Sequence, residues 1–431
     1  CSEDIMPEFK IEDPQSLAVI KVFGIGGAGG AAINRMKSSG LAGVSYVAVN
    51  TDAQALAHSE ADEKIHIGRD TTRGLGAGAD PTVGRLAAEE SKEDIRKSLE
   101  GADMIFIAAG QGGGTGSGAS GVVASIAQEM DILVLGVVTK PFSFEGERRR
   151  KNADWGVLKL EPFVDTLITI PNDKLLQTIE RDTPLVEAFK FADDVLRQGV
   201  QGITDLITEA GLINLDFADI KTIVSKAGSA LMGIGRATGE NRAVNAAQQA
   251  IESPLLEVSI DGARGVLFSI SGGADLSMHE INEAAEVITS AVAQDANIIF
   301  GTSVRDDLAD DEVVVTVVAT GFDPSYFHSR PNNAGLAEIE GEGLKHLENE
   351  RKNGSSWNDD AVKRVKEEVG DIGADLDSDE EHGNENSMTS EDDDDRDVSV
   401  WDDDGDDDDD DDDESDEDET PSFLKRRFKK K

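Results

Sequence analysis

Apolar runs at residues 17–23, 46–50, 104–109, 132–138 and 166–170 alternate with amphipathic stretches. That alternation predicts a mainly parallel β-sheet with covering helices, an α/β arrangement. A helical pattern over 185–210 follows, with Phe189, Val195, Leu196, Ile203, Leu206 and Ile207 near one side, and reads as a long central helix. Beyond it the order changes. Helices are expected over 216–234 and 242–251, then a strand at 265–271, a helix at 278–294, and strands at 298–303 and 312–320. This is a second, smaller α+β domain. Past residue 323 the periodicity fades, apart from a weakly helical patch at 359–369.

The expected organisation is a flexible N-terminus (1–16), a first domain (17–184), the central helix (185–213), the C-terminal α+β domain (214–323), a disordered acidic linker (324–419) and a basic terminal peptide (420–431). The linker follows from charge. Residues 371–420 hold 29 Asp or Glu against one Arg, and low hydrophobicity with one sign of charge cannot offset the entropy of folding. The terminal peptide reverses sign, with six Lys or Arg in its last eleven residues beside Phe423, Leu424 and Phe428, and reads as a docking motif on a long tether.

Of the formal charge of −46, residues 1–370 retain −24. So acidic a body repels nucleic acid, which excludes DNA or RNA as an expected partner. It also repels itself in dilute buffer. Molar salt shortens screening to about 3 Å, so a cytoplasm rich in salt, as in a halophile, is the simplest source of this composition. The single cysteine, Cys1, leaves no disulfide framework and no multi-cysteine metal site. No leader-like segment and no run near the roughly 20 apolar residues of a membrane span is seen, so a soluble cytoplasmic protein is expected.

Two glycine loops carry the candidate chemistry. At 112–118 the chain reads GGGTGSG, directly after the apolar run 104–109 and before a helix-compatible stretch. Five of these seven residues are glycine, which suits a loop kept bare so that backbone amides can approach a large anion, most simply a phosphate chain. The other loop, GIGGAGG at 24–30 and the first along the chain, follows the first predicted strand and precedes a helix expected at 33–37. By itself it satisfies the GxGxxG dinucleotide fingerprint, with Asp52 near the end of the next strand as a ribose-binding acid. That pattern serves NAD, FAD, another nucleotide or tight packing equally. The Walker pattern GxxxxGK[ST] is absent, which disfavours a P-loop nucleotidase.

GGGTGSG in this position resembles the tubulin signature, and the chain around it is similar to the FtsZ family of tubulin-like cell-division GTPases. NTDAQAL (50–56), GLGAGADP (74–81), TKPFSFE (139–145), IPNDKL (170–175) and NLDFAD (214–219) fall in the family's order and spacing. The resemblance covers about residues 19–321. It implies GTP and GDP as ligands. Gly27, Ala28, Gly29, Gly30, Gly114, Thr115 and Gly116 would surround the phosphates, and Gly78, Ala79 and Asp80 would sense the terminal one. Asp52 would approach the phosphate and metal region. Glu145 and Arg149 would contact ribose and phosphate, Asn172 the nucleotide, Phe189 the base by stacking and Asp194 the base by hydrogen bonding. Only the resemblance chooses Asp194 over its neighbour Asp193. A carboxylate accepts from guanine's ring N–H and amine but meets no such donor pair on adenine.

The resemblance also gives Asn214, Asp216 and Asp219 a role that capping of a helix, their ordinary reading, would not. In the family this loop completes the site of the next subunit, its carboxylates orienting the attacking water. Cations must offset the repulsion between those acids and a triphosphate, which implies Mg2+, with K+ as a further candidate. A heterologous joint of this kind repeats into filaments. The implied protein is a homopolymer of the mid-cell division ring, tied by residues 420–431 to a membrane-tethering division protein. Ala31 departs from the family's usual Asn after the glycines, which removes a polar contact near the nucleoside. Two rivals stay open: a nucleotide-binding paralogue with weak GTPase activity, and an NAD-dependent oxidoreductase resting on the first glycine loop and Asp52.

Overall fold

The computed structural model describes residues 18–322 except 42, 178, 180, 181, 209–215, 257, 258, 294, 306, 307 and 310. The expectations for 1–16, for 324–431, for the patch at 359–369 and for Asn214 lie outside the described residues.

The first half runs β1 (Ile20–Ile25), α1 (Gly26–Ser38), β2 (Val44–Asn50), α2 (Ala53–Ala57), β3 (Glu63–His66), α3 (Arg69–Thr72), α4 (Pro81–Glu90), α5 (Lys92–Leu99), β4 (Met104–Gly110), α6 (Thr115–Glu129), β5 (Leu133–Lys140), α7 (Glu147–Leu160), β6 (Thr166–Pro171) and α8 (Asn172–Leu175). The central helix α9 is Leu185–Thr208. The second half is α10 (Phe217–Val224), β7 (Gly228–Thr238), α11 (Arg242–Ile251), β8 (Gly265–Gly272), α12 (Met278–Ser290), β9 (Asn297–Val304) and β10 (Glu312–Thr320).

The strands join in the order β3-β2-β1-β4-β5-β6-β7-β10-β8-β9. From β3 to β6 all pairs are parallel, in the 3-2-1-4-5-6 order of doubly wound nucleotide-binding folds. The order reverses between β1 and β4, and in such sheets ligands bind at the carboxyl ends of the strands flanking that reversal. Both glycine loops leave the sheet there.

Apolar residues on both sides of each strand explain the continuous runs in the sequence. On β1, Ile20 and Val22 pack under α1 and α9 with Met36 and Val200, whereas Phe23 and Ile25 pack with Val123 and Ile126 of α6 on the other face. A third cluster fills the second domain, where α11 and α12 cover β8 and β10 through Ala246, Ala250, Ile281, Phe268 and Val315.

One predicted element is corrected. In place of a helix over 216–234, α10 stops at Val224 and an eleven-residue strand, β7, begins at Gly228. Lys226 and Gly228 turn the chain with φ of 53° and 71°. Gly233 and Gly235 hid the strand's alternation. A Cβ on either would fall 2.0 Å from the carbonyl oxygen of Ala250 or 1.9 Å from that of Ala246, so these positions must be bare for α11 to pack. The helix expected at 33–37 is longer than predicted, because the glycines from Gly26 onward already form its first turns.

Candidate nucleotide site

The anion cradle is built from two helix N-termini as well as from loops. α1 begins at Gly26 and α6 at Thr115; neither has a side-chain cap nor an acidic residue in its first turn. Their first N–H groups and dipole ends are therefore left for a ligand. The two termini abut: a Cβ on Gly26 would lie 3.0 Å from the amide nitrogen of Gly116. Gly29 packs on the sheet, where a Cβ would meet the Ala108 carbonyl at 2.3 Å, and Ala28 lies over Gly110. By contrast Gly27, Gly30 and Gly113 have nothing within 4 Å of such a Cβ, so their bare faces look into open space. Beside Gly27 and Gly30 a cleft of about 180 Å³ opens, lined in part by Gly26, Ala31, Asn34 and Asn50.

The 74–80 loop forms a third wall. Gly78 and Ala79 both have φ of 60°, and Asp80 caps α4 by accepting from the Thr82 amide at 2.8 Å. This loop presses on the second glycine loop, since a Cβ on Gly114 would fall 2.7 Å from the Ala77 methyl and 2.8 Å from the Asp80 carbonyl oxygen. Asp52 caps α2, accepting from the Gln54 and Ala55 amides at 2.8 and 3.1 Å. It also pairs with Leu75, which ties the β2 end to the 74–80 loop. Ser117 accepts from the Gly112 amide at 2.8 Å and holds the glycine turn closed from within.

On the far side of the crevice, Arg149 donates to Glu145, whose other carboxylate oxygen accepts from the Phe142 amide at 3.0 Å. The α7 backbone reaches the glycine loop, with the Arg149 carbonyl 3.0 Å from a Cβ placed on Gly112. Asn172 opens α8 and is buried, and its Oδ1 has no hydrogen-bond partner. Ser143 donates to Asp173 at 2.8 Å through its amide, joining α8 to the turn that carries Glu145. Phe189, 40% exposed at the start of α9, meets Phe142 edge-on at 5.5 Å.

Asp194 does not sit with this group. Its carboxylate accepts from Arg197 at 2.7 Å and from Gln198, and these bonds hold it below the usual carboxylate range against the opposing effect of burial. Five residues from Phe189, it projects about 140° away around the helix. Asp193, one turn after Phe189, shares that ring's face and lies near Arg35 of α1. Burial pushes its carboxyl up to about 6, with Arg35 opposing and Asp194 adding.

Asp216 and Asp219 lie elsewhere. α9 has 24 residues, about 36 Å at the usual rise, and runs from Phe142 beyond the carboxyl end of β5 to Gly43, which Thr208 touches just before β2. α10 follows at that opposite edge, its Val224 carbonyl accepting from Thr166 at the start of β6. Both aspartates are exposed, and Asp216 caps α10 by accepting from the Asp219 amide at 2.8 Å.

Sequence reasoning missed Asn152 and Thr51. Asn152 on α7 donates to carbonyls of two separate loops, and Thr51 shares a hydrogen bond with Thr115. A polar residue inside an otherwise ordinary helix or turn offers no periodic signal to find it by.

Comparison with known proteins bears on this arrangement at every level. Residues 19–180 match the Tubulin/FtsZ family GTPase domain, and residues 228–323 match the FtsZ family C-terminal domain. An empty FtsZ dimer from M. jannaschii is 45% identical with a TM-score of 0.69, covering 72% of this chain and 89% of its own. A mutant FtsZ from the same organism is 46% identical at the same TM-score, covering 71% and 91%. CetZ2 from Haloferax volcanii, in a GTPγS-bound protofilament, shares the fold at 21% identity and a TM-score of 0.61, covering 77% and 99%. Matched along both domains, with its glycine-rich helix ends gathered at the sheet's switch point, the chain belongs to the FtsZ family of tubulin-like GTPases.

Proposed function

We propose that this GTPase polymerises head to tail and that each GTP is hydrolysed at the joint between two subunits, within the filaments of a division ring. The observation that carries the reading is the length of α9. The helix is about 36 Å long and carries the chain from the Phe142 side to the opposite edge, where Asp216 and Asp219 lie, so they can act only on a nucleotide held by another copy. Both carboxylates are exposed at that edge, free to face a neighbour. The empty M. jannaschii relative is a dimer and the CetZ2 relative a protofilament, which supports association of this kind.

Within each subunit, the N-termini of α1 and α6 hold the phosphates, the 74–80 loop meets the terminal phosphate, and Glu145, Arg149 and Asn172 hold sugar and phosphate. Phe189 stacks on the base. We assign base reading to Asp193 rather than Asp194, because Asp193 shares the face of Phe189 and Asp194 is engaged by Arg197 and Gln198. Among the described residues no three His, Cys, Asp or Glu side chains cluster as a metal cage. Mg2+ would be carried on the triphosphate, with Asp52 as the nearby carboxylate. K+ is a second candidate cation, for the joint.

Among the described residues no helix is long and apolar enough to cross a membrane. Residues 420–431 are proposed as the link to a membrane-tethering division protein, on the strength of their basic and aromatic composition. The acidic body supports work in a salt-rich cytoplasm, such as that of a halophilic archaeon.

GTP turnover against protein concentration in molar KCl tests the joint. Turnover per subunit that rises steeply above a threshold is expected; flat, negligible turnover would favour a paralogue that binds nucleotide without hydrolysing it. Deleting residues 421–431 should disperse the ring in cells, and an intact ring would reject the tether.

A further inference from the structure

We propose that Asn152 is a positioning residue for GTP hydrolysis, an amide clamp that sets the 74–80 loop against the second glycine loop. The inference rests on the reading that the 74–80 loop meets the terminal phosphate. Asn152 lies on α7, 4% exposed, behind both loops. Its Nδ2 donates to the Ala79 carbonyl at 3.0 Å and to the Gly112 carbonyl at 3.4 Å. Two carbonyl acceptors require the NH2 side of the amide, so the orientation of the group is fixed by its partners.

The two residues it holds are conformationally exceptional, one in each loop. Ala79 has φ of 60°, a left-handed conformation that crowding of its Cβ disfavours, and Gly112 has φ of 104°. Packing of Gly114 on Ala77 and Asp80 sets how far apart the loops lie. It does not set the rotation of their peptide planes. The Asp80 amide, donating to the Ala77 carbonyl at 3.0 Å, orients the Ala79–Asp80 peptide within its own loop. The clamp ties that peptide to the Gly112 carbonyl of the other loop, and the relative directions of the peptide dipoles decide whether the cradle matches a triphosphate or only a diphosphate. Because Asn152 is anchored on the helix that also carries Arg149, one rigid element references both loops.

Asn152→Leu tests this, since leucine has similar bulk and no donors and leaves both carbonyls unpaired. Measured on the full chain in molar KCl, GDP affinity should change less than about threefold, whereas the GTP-to-GDP affinity ratio and kcat at saturating GTP should each fall about tenfold. Asn152→Ala, which adds no bulk, should show the same split. A lowered melting temperature with ratio and kcat unchanged, or equal loss of both nucleotides, would overturn the clamp. Gly78→Val separates this from the underlying reading, because Gly78 has φ of 60° and nothing within 4 Å of a Cβ, so valine strains the loop without a clash. If Gly78→Val alters the ratio and Asn152→Leu does not, the clamp alone is wrong. If neither alters it, the loop does not meet the terminal phosphate and both fall.

Discussion

The hydroxyls of Thr51 and Thr115 lie 2.7 Å apart and share a hydrogen bond, joining the end of β2 to the first residue of α6. Thr51 is fully buried, and its carbonyl accepts from the Thr72 hydroxyl at 3.3 Å. The hydroxyl of the second glycine loop is thus referenced to the neighbouring strand before any ligand arrives.

Thr51→Val keeps the shape and removes the partner of Thr115. A lost hydrogen bond of about 1–1.5 kcal/mol corresponds to roughly five- to tenfold weaker nucleotide binding. Thr51→Ser retains the hydroxyl and should bind within about twofold of the parent. Titration with a fluorescent GTP analogue checks both, and equal affinity for all three proteins would remove the pair from the binding site.

Asp193 predicts a pH dependence of opposite sign from an ordinary surface carboxylate. Its carboxyl is pushed up to about 6 by burial, so its contribution to folding is present at low pH and lost as pH rises through 6. Guanine offers two donors to the ionised form. GTP affinity should therefore increase from pH 5 to 7, with proton release on binding measurable by calorimetry in buffers of different ionisation enthalpy. Asp193→Asn should flatten the profile and weaken discrimination against ATP. Asp194→Asn should keep the profile but move its inflection to lower pH, because the Asp194 charge helps to raise Asp193. A flat profile in the unmodified protein would return the assignment to Asp194.

The legible parts of this chain were those where one residue type does one job. Glycines at close backbone approaches cannot be anything else, so both bare helix ends could be read from the sequence, although their first helical turns could not. β7 was misread because Gly233 and Gly235 serve the approach of α11 and so erase the alternation that marks a strand. Asp193 and Asp194 are adjacent and chemically identical; only the direction each takes from α9 separates them, and the partners that fix it, Arg197, Gln198 and Arg35, come from three-dimensional packing. Asn152 was invisible for a related reason, since its acceptors lie 73 and 40 residues away.

Arg242 binds the second domain together. Almost wholly buried, it donates to Glu280 at 2.8 Å, Asp275 at 2.6 Å and Asp311 at 2.9 Å. The guanidinium holds the Glu280 carboxyl down at about 2, against an ordinary 4.5. That stabilisation is fully present above pH 4.5 and is lost as pH falls through 2. Arg242→Met should cost about 2 kcal/mol at neutral pH, since the carboxylates left behind can still hydrate, and should shrink the acid-induced fall in melting temperature. Melting curves between pH 2 and 7 would show it, and an unchanged acid profile in Arg242→Met would place the acid lability in other groups.

The sharpest test of the shared site is complementation between two inactive chains. Asp219→Ala should bind GTP normally, because Asp219 lies at the opposite edge of the sheet from the glycine loops, yet lose most turnover. Gly27→Val should fold, since a Cβ there meets nothing within 4 Å, but the side chain fills the space meant for phosphate and blocks binding. Each protein alone is then inactive for a different reason. If the acids act across a joint, mixing restores hydrolysis wherever GTP on an Asp219→Ala subunit faces the intact carboxylates of a Gly27→Val subunit. With random order in an equal mixture that is about one joint in four, so turnover should recover to at most about a quarter of the parent's. If Asp219 served its own nucleotide, no arrangement of the two chains would create a complete site, and the mixture would stay as inactive as its parts.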